Sequence, residues 1–190
     1  MAVLPILTVP NPLLSQKARA VRPEEFGPEL KKRLTDMAAT MYAAPGVGLA
    51  GPQVADLRRI LTADLAPDDD DGNRGEKGQH LYLVVNPEII AHSDETIRWE
   101  EGCLSVPELW EFFENRWQRI RLRWQDPLTG EFQEEEFEDY PSVIVQHELD
   151  HLDGVIMLDR VSRLKKKRYL KKVSKILARL REETEELYAK

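Results

Sequence analysis

One stretch limits what this chain can fold into more than any other: residues 146–154, which read Gln-His-Glu-Leu-Asp-His-Leu-Asp-Gly. The two histidines are four positions apart, so on a helix both imidazoles lie on one face with Glu148 beside them. This His-Glu-x-x-His pattern predicts that His147 and His151 bind a divalent metal and that Glu148 takes a proton from water acidified by the metal. The alternative is a solvated, charged helix face that carries the histidines by chance.

A catalytic metal site of this kind normally has three protein ligands and leaves one position open for water. Metalloproteases that continue the pattern with a third histidine have it where this chain has Met157. Other proteases take a glutamate from the following helix, but residues 160–181 contain no acidic residue. The third ligand is therefore expected upstream of the helix.

Two upstream segments carry further chemistry. Cys103, within the sequence Glu-Gly-Cys-Leu-Ser, is the single cysteine of the chain, so it cannot form an internal disulfide. It is a candidate ligand or nucleophile, and the alternative is a small buried apolar residue. Residues 46–53 are glycine-rich and end at Gln53. Alone this second segment is a weak signal, and it lacks the ending of a nucleotide-binding loop.

Together and in this order, the three segments resemble peptide deformylases. That family has a Gly-x-Gly-x-Ala-Ala-x-Gln loop, then Glu-Gly-Cys-Leu-Ser, then Gln-His-Glu-x-Asp-His-Leu. The chain matches the second and third at every fixed position, and in the first Gly51 replaces the second alanine. The resemblance includes residues 5–21 and fades in the last helix, and residues 108–113 depart from the family's usual loop.

The resemblance implies an enzyme that removes the formyl group from the N-terminal formylmethionine of newly synthesised polypeptides and releases formate. It makes Cys103, His147 and His151 the ligands of one divalent metal, with Glu148 as proton acceptor. The family is typically active with Fe²⁺, which is therefore expected in the cell. Zn²⁺, Ni²⁺ or Co²⁺ are expected as substitutes in preparations.

The resemblance also assigns the residues around the metal. The side-chain amide of Gln53 and the backbone N–H of Leu104 are expected to donate hydrogen bonds to the oxygen that becomes anionic. Gly48 is expected to contact the peptide through its backbone. Val47 and Val143 are expected to line the methionine pocket, with ordinary core packing as the alternative. Glu101 is expected to orient neighbouring groups.

Two other functions fit parts of the sequence. A zincin-type endopeptidase would use the same His-Glu-x-x-His helix, but Met157 and the acid-free segment that follows count against it. A non-enzymatic ribosome-binding protein with a structural metal would need a site closed by four protein ligands. No convincing fourth ligand is present in the sequence.

The surrounding pattern predicts a mixed α+β fold: small antiparallel sheets around a central metal-binding helix, with a C-terminal helix. Strands are expected over 58–65 and 81–90. Arginines alternate with apolar residues over 119–124, a strand expected to pair with the acidic strand 131–138. His80 and His92 match no ligand spacing and are interpreted as surface residues.

Helical spacing of apolar residues predicts a helix over 28–44. Residues 66–79, rich in aspartate and glycine, are interpreted as a mobile acidic insertion without the ligand spacing of a calcium loop. Residues 160–190 are predicted to form a basic C-terminal helix. The resemblance implies that it docks on the ribosome near the exit of the nascent chain, and the alternative is a solvated helix end.

Length and charge set the remaining expectations. A chain of 190 residues with 42% hydrophobic residues is expected to form a single domain over 1–190. The net charge of −7 argues against general nucleic-acid binding, so no DNA partner is expected. The sequence shows neither a targeting peptide nor a membrane-spanning run, so a bacterial cytoplasmic protein without membrane contact is expected.

Overall fold

The computed structural model describes residues 2–66 and 78–188, with side chains described as far as residue 178. Most of the predicted acidic insertion, residues 67–77, lies outside the described residues. The helices within the described chain are α1 Pro28–Ala43, α2 Tyr140–Leu152, the short α3 Met157–Arg160 and α4 Arg163–Tyr188. The strands are β1 Gly48–Ala50, β2 Ile60–Asp64, β3 Leu81–His92, β4 Thr96–Cys103, β5 Val106–Trp117, β6 Arg119–Gln125 and β7 Phe132–Glu138.

The strands form two antiparallel sheets, as the α+β prediction required. The larger sheet has the order β1-β2-β3-β6-β7, and β4 pairs with β5 in a separate two-stranded ribbon. The strand predicted over 58–65 is observed over Ile60–Asp64, and it begins later because Arg58 and Arg59 pair with the N-terminal segment at Arg19 instead. The strand predicted over 81–90 continues to His92.

The arginines of β6 lie opposite the glutamates of β7, which confirms the predicted pairing of these two strands. Two of the three arginines also form the predicted ion pairs across the strands. The third, Arg123, pairs with Glu88 on the other neighbouring strand, β3, at 2.7 Å. The alternating residues Ile120, Leu122 and Trp124 are buried in the core. The cross-strand ion pairs are Arg119 with Glu138 at 2.9 Å and with Glu136 at 3.5 Å, and Arg121 with Glu134 at 2.8 Å.

Helix α1 covers one face of the larger sheet and supports the glycine-rich loop. Its residues Leu34, Met37 and Met41 are fully buried and belong to one cluster with Leu49 of β1 and Ile60 of β2. Each such buried side chain contributes about 1.5–3 kcal/mol relative to an exposed one. The three-residue strand β1 is thus fixed from behind, although it forms the open edge of the sheet.

Helix α2 is the buried helix at the centre of the fold. The hydroxyl of Ser142 and the amide of Gln146 donate to the carbonyl of Trp117, at 2.8 and 2.9 Å, so the helix is fixed to the end of β5. The helix ends at Leu152, and Gly154 follows with φ of +75°. A Cβ at Gly154 would lie 2.8 Å from the carbonyl oxygen of Ser15, so only glycine fits this turn without strain.

Helix α4 packs against β5. The hydroxyl of Tyr169 donates to the carbonyl of Pro107 at 2.9 Å, and Tyr169 and Leu170 pack against a core cluster. His80 and His92 are exposed, as predicted, and His92 stacks on Trp117 with ring centres 3.9 Å apart. None of the helices in the described part of the chain combines the length and apolar character needed to cross a membrane.

Candidate metal centre

The ends of β4 and α2 bring three metal-binding side chains together. The ligand atoms of Cys103, His147 and His151 all lie within 4.8 Å of one another, and Cys103 Sγ is 3.2 Å from His151 Nε2. One thiolate and two imidazoles are a donor set that divalent transition metals bind readily. The residues therefore fit the metal that the sequence pattern implies.

The protonation of Cys103 favours this role. Burial acts to raise the pKa of the thiol, but the charges and hydrogen bonds of His151 and His147 outweigh it and lower the pKa to about 5. The thiolate, which is the form that binds metals, is thus the stable form at neutral pH. In the described structure, Cys103 is the one residue of the three that does not come from α2.

A chain of buried ion pairs stands behind His147. Its Nδ1 lies 2.7 Å from Glu101 Oε2, and both carboxylate oxygens of Glu101 accept hydrogen bonds from Arg116, at 2.7 and 2.8 Å. A third nitrogen of Arg116 donates to Asp150 at 2.7 Å, and Arg160 also donates to Asp150, at 2.8 Å. Such partners fix the orientation of a metal-binding imidazole and increase its basicity.

The same contacts control the charge of Glu101. Burial acts to raise the pKa of this carboxyl, but the hydrogen bonds from Arg116 and His147 lower it to about 2. Sequence reasoning identified Glu101 but not Arg116 or Asp150. No pattern distinguishes a buried arginine in a strand from its exposed neighbours. Asp150 lies three residues after His147 in the same helix, and this spacing is the sequence signal that points to it.

Glu148 lies next to the candidate ligands in an enclosed environment. It is 4% exposed, and burial raises the pKa of its carboxyl to about 7. Among the described groups, Glu148 Oε2 has no hydrogen-bond partner. A Cβ at Gly48 would lie 2.2 Å from Glu148 Oε1, so the loop approaches the carboxylate this closely only because residue 48 is glycine. A carboxyl with a pKa near neutrality can both accept and donate a proton.

The amide of Gln53 is fixed beside Cys103 by two hydrogen bonds. Its Oε1 accepts a hydrogen bond from the Ala50 N–H at 2.7 Å, and its Nε2 donates to Ser105 Oγ at 3.1 Å and lies 3.8 Å from Cys103 Sγ. Ser105 therefore holds the Nε2 group beside the candidate ligand Cys103. Leu104 occupies the turn between β4 and β5, directly after Cys103. Ser105, which sequence reasoning did not select, holds the Gln53 side chain.

These groups surround a cavity of about 400 Å³. Every candidate site residue predicted from the sequence lines this cavity except His151. His151 lies behind the lining residue Cys103 and contacts its sulfur. Val143 is almost fully buried and Val47 is partly exposed. Sequence reasoning missed three aromatic residues in the cavity wall, because their convergence depends on how β4, β5 and α2 pack. They are Trp99, Trp110 and Tyr140, of which Trp99 and Tyr140 stack with ring centres 5.0 Å apart.

The chain resembles known proteins along most of its length. A family model described as polypeptide deformylase matches residues 3–167. The peptide deformylase of Phenylobacterium zucineum (strain HLK1) is 45% identical over 175 residues, which cover 92% of this chain and 97% of the relative. That of Nitrobacter hamburgensis (strain DSM 10229 / NCIMB 13809 / X14) is 43% identical, over 92% and 96%.

Solved structures give the same result for the fold. The peptide deformylase from Ehrlichia chaffeensis in complex with actinonin superposes with a TM-score of 0.81 and 34% identity, covering 92% of this chain and 98% of that one. The peptide deformylase from Thermotoga maritima has a TM-score of 0.74 and 38% identity, covering 85% and 99%.

The ion-pair chain behind His147 yields a first prediction. Replacing Arg116 by methionine should lower the free energy of unfolding by about 3–5 kcal/mol, because it leaves the buried carboxylate of Glu101 without its arginine. It should also weaken metal binding about 10–100-fold, since Glu101, the partner of His147, is no longer held in place by Arg116. Urea unfolding and chelator competition measure the two effects.

The matched control is Arg119→Met, which removes an exposed ion pair on β6. This change should alter stability by about 1 kcal/mol or less and leave metal binding unchanged. Equal, small effects of both substitutions would mean that the buried chain does not support the site.

Proposed function

The chain belongs to the peptide deformylase family, and on that premise we propose that Cys103, His147 and His151 hold its metal while Glu148 transfers the protons. The enzyme removes the formyl group from the N-terminal formylmethionine of newly synthesised polypeptides and releases formate. The observation that carries the assignment of roles is the convergence of the three ligand atoms within 4.8 Å of one another, beside a cavity that Cys103, His147 and Glu148 line.

A divalent metal in this site would polarise the formyl group and acidify a bound water molecule. Glu148 accepts the proton of the attacking water and later returns it to the departing amine nitrogen. Its buried carboxyl, with a pKa of about 7, suits both transfers. The amide of Gln53 and the N–H of Leu104 donate to the formyl oxygen as it becomes anionic, and Ala50 and Ser105 keep the Gln53 amide in position beforehand.

The peptide is proposed to bind along β1. This strand is the open edge of the larger sheet, and its first residue, Gly48, lines the cavity. An extended peptide can therefore add to this edge through backbone hydrogen bonds. Val47 and Val143 are proposed to contact the methionine side chain, because both present apolar groups to the cavity.

The decisive experiment compares formate release from a formyl-Met peptide with acid release from the acetyl-Met peptide of the same sequence. The enclosed site should cleave the formyl peptide and spare the acetyl one. A parallel digestion of an unblocked protein tests the endopeptidase alternative. Equal cleavage of both blocked peptides, or cleavage of internal bonds, would contradict the proposed function.

The proton-transfer role of Glu148 gives a second prediction. Glu148→Gln keeps the shape of the side chain but removes the base, so kcat should fall by about 10²–10⁴-fold. Metal content should stay at one equivalent per chain, because Glu148 is not proposed as a ligand. Glu29→Gln, on the exposed first turn of α1, is the control and should keep full activity. Substantial activity in Glu148→Gln would exclude this role.

We infer that the metal in the cell is Fe²⁺, although the usual order of affinities places Zn²⁺ above it. Aerobic purification should yield a zinc or mixed-metal protein of low activity, whereas anaerobic loading with Fe²⁺ should raise the rate of formate release. Oxidation of Cys103 is one expected route of inactivation in air. Metal analysis alongside the activity assay checks this, and equal activity of pure zinc and iron forms would contradict it. The enzyme can be loaded with Ni²⁺ or Co²⁺ in the same way, and the activity of these forms compared.

The enzyme is proposed to act in the bacterial cytoplasm at the ribosome, with α4 as the docking element. Part of the positive charge of α4 is not available for this, since some lysines pair with acidic residues of the same chain. These pairs are Lys165 with Glu111, Lys166 with Asp159 and Lys172 with Glu108.

Other cations of α4 remain available. Lys167, Arg168, Lys171 and Lys175 are exposed, and none has an ion-pair partner among the described side chains. Lysines and arginines that replace the counterions of RNA phosphates bind strongly at low salt and weakly at high salt. These four residues therefore support ribosomal RNA near the exit of the nascent chain as the partner.

The ribosome proposal gives a fourth prediction. Lys167→Glu with Lys171→Glu should abolish cosedimentation with ribosomes at low salt, while cleavage of short formyl-Met peptides continues. The control, Lys17→Glu with Lys31→Glu, changes the net charge equally at exposed positions away from α4 and should still cosediment. If both double variants behave like the unmodified enzyme, α4 is not the docking element.

A further inference from the structure

Helix α4 is attached to the wall of the peptide cavity. The hydroxyl of Tyr169 donates to the carbonyl of Pro107 at 2.9 Å, and Lys172 forms an ion pair with Glu108 at 2.7 Å. Pro107 and Glu108 both line the cavity. Glu108 has a φ of +60°, which a residue other than glycine keeps only where its surroundings hold it. The helix therefore fixes a part of the wall whose backbone is not in a relaxed conformation.

The contacts of α4 with the β4–β5 ribbon come from one face of the helix. Lys165 forms an ion pair with Glu111 of β5, a residue outside the cavity lining. The ring of Tyr169 packs against the same core cluster as Cys103. Lys165, Tyr169 and Lys172 follow one another at spacings of four and three residues, so they form a single inner face. This inner face supports both the cavity wall and the ribbon that carries Cys103.

A row of unpaired lysines runs along another side of α4. Lys167, Lys171 and Lys175 are exposed, and none has an ion-pair partner among the side chains that the structure describes. At 3.6 residues per turn they lie roughly 90–170° around the helix from the inner face. Like charges four residues apart repel each other and destabilise a helix. An anion bound along this outer stripe would remove the repulsion and leave the ion pairs of the inner face in place.

We propose that RNA bound to the outer stripe strengthens peptide binding in the cavity through α4. This inference rests on the proposed function, which places ribosomal RNA at the helix and a formyl peptide in the cavity. RNA phosphates stabilise the helix, and the inner face then holds Pro107 and Glu108 more firmly. A wall that is already ordered loses less conformational freedom when the peptide binds. The coupling is reciprocal, so a peptide in the cavity tightens RNA binding by the same factor.

The test measures kcat and KM for a short formyl-Met peptide with and without oligouridylate, a single-stranded RNA, at low ionic strength. RNA should lower KM by about twofold to fivefold, because the contacts that transmit the effect are partly exposed and individually weak. The value of kcat should change little, since α4 acts on the wall and not on the proton transfer. Added salt displaces the RNA and should remove the effect.

Fluorescence anisotropy of labelled oligouridylate measures the reciprocal effect without using activity. A deformylated methionyl peptide that occupies the cavity should lower the Kd for RNA by the same factor by which RNA lowers KM. Hydrogen exchange at the Glu108 amide should slow when RNA is added, because the wall becomes more ordered.

Tyr169→Phe tests whether the inner face transmits the effect. The substitution removes the hydrogen bond to Pro107 but keeps the ring, so RNA should still bind while the response of KM to RNA falls. Tyr82→Phe is the matched control, because it removes a hydroxyl contact with Glu135 between β3 and β7. The control should respond to RNA like the unmodified enzyme.

A charge reversal at Lys165 and Glu111 tests the ion pair. Lys165→Glu should weaken the response of KM at RNA concentrations that saturate the variant. Lys165→Glu combined with Glu111→Lys should restore the response, because the pair is rebuilt with its charges exchanged. Since Glu111 is outside the cavity lining, this rescue reports on the support of the wall and not on direct contacts with the peptide.

The outcomes separate this inference from the proposed function. RNA that binds without changing KM would overturn the coupling and leave both deformylation and ribosome docking intact. A response of KM that Tyr169→Phe leaves unchanged would also overturn it. If oligouridylate does not bind, the coupling and the docking role of α4 both fail. If no formyl peptide is cleaved, the proposed function fails and the coupling with it.

Discussion

The buried contact between Glu101 and Arg116 is the interaction on which the rest of the site depends. Arg116 is 3% exposed, and its guanidinium joins β5 to β4 through Glu101 and to α2 through Asp150. Because the pKa of Glu101 falls to about 2 from an ordinary value of 4.5, its stabilising effect is complete above pH 4.5 and is lost as the pH falls towards 2. The ribbon and the central helix are therefore held together by the same group that orients His147.

Glycines determine how closely the elements around the cavity approach one another. At Gly48 the absence of a side chain lets the edge strand reach Glu148, and at Gly102 it lets the Trp110 ring lie on the backbone. In both places a Cβ would collide with the group that faces it, so that group would have to move and the geometry of the site would change. The glycine-rich loop thus allows a close approach to Glu148, the carboxylate proposed to transfer protons. This approach, rather than nucleotide binding, accounts for the glycine at position 48.

The sequence predicted those parts of the structure that depend on local spacing. The helix over 28–44, the helix around His147 and the pairing of the arginine strand with the glutamate strand follow from periods of 3.6 and 2 residues, and all three are observed. Arg116 was not predicted, because its role arises where the separate β4–β5 ribbon packs against α2. Arg123 of β6 was predicted to form an ion pair with a glutamate of β7, but it pairs with Glu88 of β3. The alternation of residues along a strand does not reveal which strand lies on its other side.

Helix α4 combines two roles that its sequence alone does not separate. Its basic composition suggests a surface for an external polyanion, yet Lys165 and Lys172 bind glutamates of β5, and Tyr169 donates to the carbonyl of Pro107. Pro107 and Glu108 are also cavity-lining residues. The inner side of the helix therefore supports the wall that would contact a peptide, while its exposed cations face outward. A partner that moved this helix would therefore displace Pro107 and Glu108, which line the peptide cavity and contact the helix directly.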